Sequence, residues 1–306
     1  MHPAPSVIAF TTLSGAGYGA LAVYGTVAAA GIPGAATTGA RVLLLTAFVL
    51  VSAGLLASTA HLGHPERAWR AFSQWRSSWL SREGVAAVVT YVPLTLLVAW
   101  QWQWLSLGAL AAPLQLLLAA LSVTTVVCTA MIYASLKSIR QWHDRRVPAI
   151  YLGFAVASGA LLAQLMLGDA MPAAVVATLI AASWALKWWY WLKPGRDAGT
   201  TIQSATGLGG DVRPFDPPHT EASYLTNELG FRLARKHAGR LRRLATLAGA
   251  AVPVVACFVL AQLKTPAPLL AGLAFGSYMA GVLIERWLFF AEAEHTVMLY
   301  YGGARH

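Results

Sequence analysis

The sequence predicts an all-α integral membrane protein, folded as a bundle of eight transmembrane helices. Hydrophobic residues make up 57% of the 306 residues and charged residues only 11%, whereas a soluble domain has about a quarter charged residues. The apolar residues occur in runs of about 20, the length that a helix needs to cross about 30 Å of hydrocarbon. The runs are continuously apolar and do not alternate, which excludes a transmembrane β-barrel.

Eight runs qualify as spans, because a helix satisfies every backbone polar group within the membrane. The fourth and fifth are the strongest, and the seventh is the weakest because it is rich in alanine and contains Pro253. We expect one membrane domain, residues 1–306, in which residues 193–243 form a basic loop. The predicted spans are residues 7–30, 42–60, 84–102, 109–132, 149–167, 172–192, 244–262 and 268–290.

Two features of composition fit this fold. The first span contains the run SGAGYG at residues 14–19, and small residues let membrane helices approach closely. Tryptophan and tyrosine gather at span ends, as at residues 100–104 and 188–191. We interpret both aromatic clusters as anchors at the membrane interface.

Lysine and arginine are distributed very unevenly between the two sides of the predicted bundle. With eight spans, both termini lie on the side of the second, fourth and sixth loops. That side carries 20 of the 22 basic residues, and only Arg41 and Lys264 remain for the other. The positive-inside rule therefore predicts cytoplasmic termini and a cytoplasmic basic loop at 193–243. The net charge of +10 reflects loops at an anionic membrane surface and does not indicate nucleic-acid binding.

The second loop carries the residues with the most informative chemistry. It contains HLGHPERAWRAFS at residues 61–73 and WLSRE at 79–83, so His61 ends the second span and Glu83 opens the third. Ionisable groups at the edge of an apolar bundle are costly to bury and often functional. Quinone chemistry needs hydrogen bonds and a proton route, which a histidine and a carboxylate supply. Two structural alternatives remain: Glu83 as a favourable charge at a helix N-terminus, and His61 as an interfacial histidine.

This segment resembles the signature of the dimethyl sulfoxide reductase anchor-subunit family. In that family a His-Leu-Gly-x-Pro-x-Arg-Ala motif is followed by Ser/Leu-Ser-x-Glu at the next helix start. The span count and chain length also agree, so the resemblance covers essentially the whole chain. It implies a multi-pass protein of the bacterial cytoplasmic (inner) membrane that exchanges electrons with ubiquinone or menaquinone. It further implies an iron–sulfur subunit and a molybdopterin catalytic subunit as partners.

Carried over residue by residue, the resemblance places the quinone-site histidine on His61 and the glutamate on Glu83, both expected to be catalytic. Arg67, Trp79 and Ser81 lie in the same motifs and are expected to help bind the quinone. We expect no metal on this chain, because Cys128 and Cys257 lie inside spans without ligand spacing. We also expect no haem, because none of the eight histidines is central in a span.

The resemblance leaves the substrate and the direction of electron flow open. A cytoplasm-facing arrangement matches the membrane-bound sulfite dehydrogenases of this family, which pass electrons from sulfite to quinone. Alternatives are an anchor of a dimethyl sulfoxide reductase-type complex that oxidises quinol, a purely structural anchor, and a transporter. The near absence of charge within the spans and of an internal repeat argues against a transporter.

Overall fold

The computed structural model describes residues 3–32, 37–60, 62–193, 201–213, 215–216, 233–263 and 267–301, and within these ranges the chain is helical. Much of the predicted basic loop, including residues 194–200 and 217–232, lies outside the described residues. The α-helices are α1 Pro5–Ala29, α2 Thr38–Thr59, α3 Trp79–Gln101, α4 Ala111–Ala134, α5 Val147–Leu167, α6 Ala173–Trp191, α7 Ile202–Thr206, α8 Leu233–Thr246, α9 Val252–Gln262 and α10 Pro268–Ala291. A 3₁₀ helix, Pro65–Gln74, joins α2 to α3 and is called the connecting segment below.

Eight helical stretches in the described part of the chain are long and apolar enough to cross a membrane. Seven contain α1 to α6 and α10, and the remaining one, His237–Gln262, runs from α8 through α9. Each overlaps one predicted span. The predicted all-α bundle of eight transmembrane helices is therefore confirmed, and the chain is a multi-pass membrane protein.

The seventh span, predicted to be the weakest of the eight, is irregular near its proline but is not weakly apolar. Its most hydrophobic window is the most apolar of the eight. Proline has no N–H to donate and its ring displaces the carbonyl four residues earlier. Just before Pro253 the helix widens into a π-turn at Leu247–Ala251, which accommodates this mismatch. Gly249 in that turn lies so close to Trp184 of α6 that a Cβ atom would overlap the indole ring.

α1 is the central helix of the bundle and packs on α2, α4 and α5. Gly17, Gly19 and Gly25 lie at the crossings, whereas a Cβ atom on Gly15 would meet nothing within 4 Å. Gly19 faces Gly159 of α5, and a Cβ atom on either would overlap the backbone of the other helix. Gly25 meets α4 at Gln115 in the same way. These contacts fix α1 and α5 against each other at backbone distance.

The aromatic clusters at the span ends have mixed roles. Trp104 and Trp189 are exposed, as expected for interfacial anchors. Tyr190 and Trp191 are instead buried, and their rings lie 4.5 and 5.1 Å from the ammonium group of Lys187. The interpretation of residues 188–191 as a purely interfacial cluster is therefore wrong, because two of the four rings enclose a buried cation.

The loop between α4 and α5 is tied down by Asp144. Its carboxylate accepts hydrogen bonds from Arg146 at 2.8–3.0 Å and from the Lys193 ammonium at 2.9 Å. Burial alone would raise the pKa of Asp144, but the hydrogen bonds from Arg146 and Lys193 outweigh it and hold this pKa well below its usual range. The ion pairs therefore stabilise the fold while Asp144 is ionised.

The low pKa of Asp144 predicts the acid sensitivity of this loop. A carboxylate whose pKa is lower in the folded than in the unfolded state contributes stability above the unfolded value, about 3.9, and loses it as pH falls further. We expect Asp144→Asn to lower the thermal midpoint at pH 7 by a few degrees, and the difference from the wild type to shrink below about pH 4. Thermal unfolding of both proteins across pH measures this. Asp211→Asn is the control, because Asp211 pairs with Arg213 at the exposed surface; an equal loss in both variants would contradict the prediction.

Candidate functional site

Glu83 is a buried carboxylate near one end of the bundle. It lies in the second turn of α3, beyond the terminal amide groups, and is 5% exposed. The Thr129 hydroxyl of α4 donates a hydrogen bond to its Oε1 atom. Tyr18 of α1 and Tyr133 of α4 lie within electrostatic range of the carboxylate. The Glu83 side chain is therefore held inside the bundle by a neighbouring helix and does not cap its own helix.

The N-terminus of α3 is fixed to the connecting segment by hydrogen bonds. The Ser78 hydroxyl caps the helix by accepting from the Ser81 amide at 3.4 Å. The buried Ser81 hydroxyl donates to the Ala71 carbonyl in the connecting segment. Arg82 donates to the carbonyls of Trp75 and Arg76 at 3.0 and 2.7 Å. The motif serine thus holds the segment across the start of the helix that carries Glu83.

The connecting segment and the turn that follows it present aromatic and cationic side chains at the surface. Trp69, Phe72 and Trp75 are all exposed. Arg70 and Arg76 lie over the rings of Trp69 and Trp75 at 5.7 and 5.4 Å. Stacked arginine and tryptophan pairs are suited to a membrane interface, where an apolar body meets a polar edge.

The structure brings some of the predicted site residues together and separates others. Ser81 and Glu83 are buried in the first two turns of α3, and Trp79 is half-buried with Arg82 over its ring at 4.4 Å. Arg67 lies on the exposed side of the connecting segment, 3.6 Å from Glu66, and forms no ion pair with Glu83. His61 lies outside the described residues.

A second group of buried charges connects α6 and α10 through their side chains. The Lys187 ammonium pairs with the Glu285 carboxylate, and the Arg286 Nε atom lies 2.7 Å from the other Glu285 oxygen. Lys187 is 1% exposed, Glu285 0% and Arg286 2%. This triad, Lys187, Glu285 and Arg286, carries one excess positive charge when all three groups are ionised.

Aromatic rings enclose the triad. The Arg286 guanidinium lies 3.8 Å from the centre of the Tyr151 ring of α5, and Phe289 stands beside both cations at about the same distance, 5.4–5.5 Å. Desolvated cations over aromatic faces interact more strongly than exposed ones. The triad and these rings lie within about two turns of their helix ends, on the side of the bundle where α3 begins. Glu83 and the triad therefore occupy the same half of the bundle.

Comparison with known proteins identifies the chain's family. The family model described as "DMSO reductase anchor subunit (DmsC)" matches residues 1–301. The chain belongs to the DMSO reductase anchor-subunit family. It is also similar to a sulfite dehydrogenase subunit of Allochromatium vinosum, with 35% identity over 328 residues that cover 98% of this chain and 99% of the relative. No solved structure matches.

Membership defines the coarse role of the chain. A DMSO reductase anchor subunit is the membrane anchor of a molybdoenzyme complex. It works with a catalytic subunit and an iron–sulfur subunit, which hold the molybdopterin and the clusters. The resemblance of the segment at residues 61–83 to this family is thereby confirmed.

Sequence reasoning missed Thr129 and the buried triad of this anchor subunit. Thr129 is 46 residues from Glu83 in the chain, and nothing in an apolar span marks one threonine among several. Lys187 and Arg286 were counted with the loop charges, whereas they lie inside α6 and α10. The adjacent Glu285 and Arg286 could have predicted the triad, because oppositely charged neighbours inside a span indicate a buried ion pair.

Proposed function

We propose that this anchor subunit exchanges electrons between an iron–sulfur cluster of its partner and a membrane quinone, with Glu83 as the group that transfers the proton. The observation that carries the proposal is a carboxylate buried at one end of an apolar bundle and held by a threonine hydroxyl. Such a group is costly to keep in a membrane protein and is functional by default.

The chemistry of a quinone explains why a carboxyl group is needed. Reduction of a quinone to the quinol takes two electrons and two protons, and oxidation of the quinol releases them. An iron–sulfur cluster supplies or accepts electrons only, so the protons must come from protein groups or water. Glu83 and His61 are the candidates, since each gains or loses one proton without other change.

The remaining motif residues have supporting roles in this proposal. Ser81 holds the connecting segment against the start of α3, two residues from Glu83. Trp79 offers a half-buried ring at the start of the same helix. Arg67 is exposed, which suits contact with the partner subunit better than contact with a quinone in the bundle.

We further propose that the end of the bundle with Glu83 faces the cytoplasm of a bacterium, in the inner membrane. The second and fourth loops carry four basic residues each, against Arg41 and Lys264 on the other side. Lys187 and Arg286 are buried and no longer count as loop charges, but the asymmetry does not depend on them. A basic face also suits docking of an acidic iron–sulfur subunit.

The orientation predicts the outcome of a reporter fusion. A fluorescent protein fused to the C-terminus should fluoresce, because both termini are cytoplasmic. Alkaline phosphatase fused at the same position should stay inactive, while a fusion in the loop with Lys264, between α9 and α10, should be active. Active phosphatase at the C-terminus would reject the cytoplasmic orientation and leave the proposed quinone chemistry standing.

The substrate proposed for the catalytic partner is sulfite. The A. vinosum relative is called a sulfite dehydrogenase subunit, and the cytoplasmic face proposed above matches the arrangement that the family resemblance implies for sulfite dehydrogenases. Sulfite and water would give sulfate, two protons and two electrons at the molybdenum centre of the partner. The two electrons would then reduce one quinone, which takes up two protons at the site of this chain.

The proposal predicts sulfite-dependent quinone reduction by membranes that contain the complex. Membranes that lack only this subunit should retain sulfite oxidation with an artificial electron acceptor and lose reduction of quinone. Parallel assays with ubiquinone and menaquinone analogues identify the quinone. Reduction of dimethyl sulfoxide with quinol, and none with sulfite, would replace the substrate and reverse the electron flow. Unchanged quinone reduction without the subunit would reject the proposed function.

A further inference from the structure

A partly enclosed cavity, with several polar side chains in its wall, lies beside Thr129 and Arg286. It offers about 20 Å³ to the centres of water molecules. α1, α4, α5 and α10 all contribute to its wall. The side chains that matter here are Thr12, Ser14, Tyr18, Thr129, Tyr151 and Arg286.

Several polar atoms in this wall have no protein partner. Among the described residues, none forms a hydrogen bond with the Arg286 Nη1 and Nη2 atoms, the Tyr18 hydroxyl or the Thr12 hydroxyl. Tyr151 also lacks an aligned partner for its hydroxyl, since the guanidinium lies over its ring. Buried polar groups are nearly always hydrogen-bonded. Several unpaired donors and acceptors around one cavity therefore indicate a bound ligand.

The size and chemistry of the cavity restrict what the ligand is. A water molecule needs at least about 10–15 Å³ of such volume and two to four polar partners. The cavity therefore has room for one or two waters. Empty buried cavities are lined by apolar side chains, unlike this one.

We propose that the cavity is a buried water site, positioned by Arg286, that connects the triad to Glu83 through Thr129. Thr129 lines the cavity and its hydroxyl donates to Glu83, which leaves the hydroxyl oxygen able to accept a hydrogen bond from a water in the cavity. The waters then solvate the interior side of a carboxyl group that must change its charge. Arg286 is a positioning residue in this role. The connection to Glu83 rests on the proposed function, whereas the water site does not.

Radiolytic footprinting of the intact complex in lipid nanodiscs tests the water site without any quinone. Hydroxyl radicals generated from bound water label adjacent side chains, even buried ones. Tyr18 and Tyr151 should be labelled severalfold faster than Tyr24 and Tyr278. These two controls are also buried, but their hydroxyls bond to Gln101 and to the Phe154 carbonyl. Equal labelling of all four tyrosines would overturn the water site.

A cavity-filling variant tests the connection to Glu83. Gly15 lines the cavity, and a Cβ atom there meets nothing within 4 Å. Gly15→Leu should fill the space, reduce labelling of Tyr18 and Tyr151 severalfold, lower quinone turnover and displace its pH profile. Gly15→Ala adds only the Cβ atom and should change neither. Thr12→Val provides a second variant of unchanged shape, which removes one water partner and should reduce labelling.

The outcomes separate this inference from the proposed function. Loss of labelling in Gly15→Leu with an unchanged rate and pH profile would reject the connection to Glu83. Normal quinone kinetics in Glu83→Gln would reject the proposed function, whereas fast labelling of Tyr18 and Tyr151 would still establish the water site. Slow labelling together with a Glu83-dependent rate would reject only the water site.

Discussion

Replacement of Glu83 by glutamine is expected to lower quinone turnover at least about tenfold, the effect of losing one proton-transfer partner, while the complex remains assembled. The amide has nearly the shape of the carboxyl group and still accepts the Thr129 hydrogen bond, so packing in α3 and α4 changes little. It cannot take up or release a proton near neutral pH. Turnover with a quinone analogue, measured beside sulfite oxidation with an artificial acceptor, isolates the loss to this subunit.

Two matched variants make the test specific to this position. Glu66→Gln removes a carboxylate from the exposed connecting segment and should leave turnover unchanged. Thr129→Ser keeps the donor to Glu83 and should be close to wild type, whereas Thr129→Val removes it and should be slower. His61→Ala is expected to resemble Glu83→Gln. Normal quinone kinetics in both His61→Ala and Glu83→Gln would reject the site.

Apolar runs and basic loops were enough to predict the fold, because lipid leaves a chain few choices. A span must be helical and about 20 residues long, so eight runs gave eight helices. The residues of the site could not all be predicted in this way. Glu83 was predicted from a motif that is continuous in the sequence, whereas its partner Thr129 comes from the next helix. The contact depends on the rotation of α4 against α3, which an apolar run does not encode.

The charges in the last spans were misjudged for a related physical reason. Lys187 lies four residues before the end of α6, where a lysine ordinarily reaches back to the membrane surface. Here the rings of Tyr190, Trp191 and Phe289 surround the ammonium group and Glu285 neutralises it. Lys187 thus pairs with a carboxylate inside the bundle instead of reaching the membrane surface. That carboxylate is 98 residues away in the sequence.

Removal of Glu285 is expected to destabilise the protein more than any other single change in the triad. Glu285 lies between Lys187 and Arg286 and pairs with both, so Glu285→Gln takes away the carboxylate that these two buried cations share. Breaking a buried ion pair in this way costs about 3–5 kcal/mol. We expect the thermal midpoint of the purified complex to fall by about 5–15 °C and less of it to assemble in the membrane.

The charge balance of the triad predicts an order of stability that simple loss of contacts does not. Lys187→Met leaves Glu285 paired with Arg286 and should be milder than Glu285→Gln. The double variant, Lys187→Met with Glu285→Gln, retains one buried cation instead of two, so it should be more stable than Glu285→Gln alone. Thermal unfolding of the three variants under one set of conditions gives the order. If the second substitution in the double variant only adds to the loss, packing of the side chains rather than charge pairing stabilises the triad.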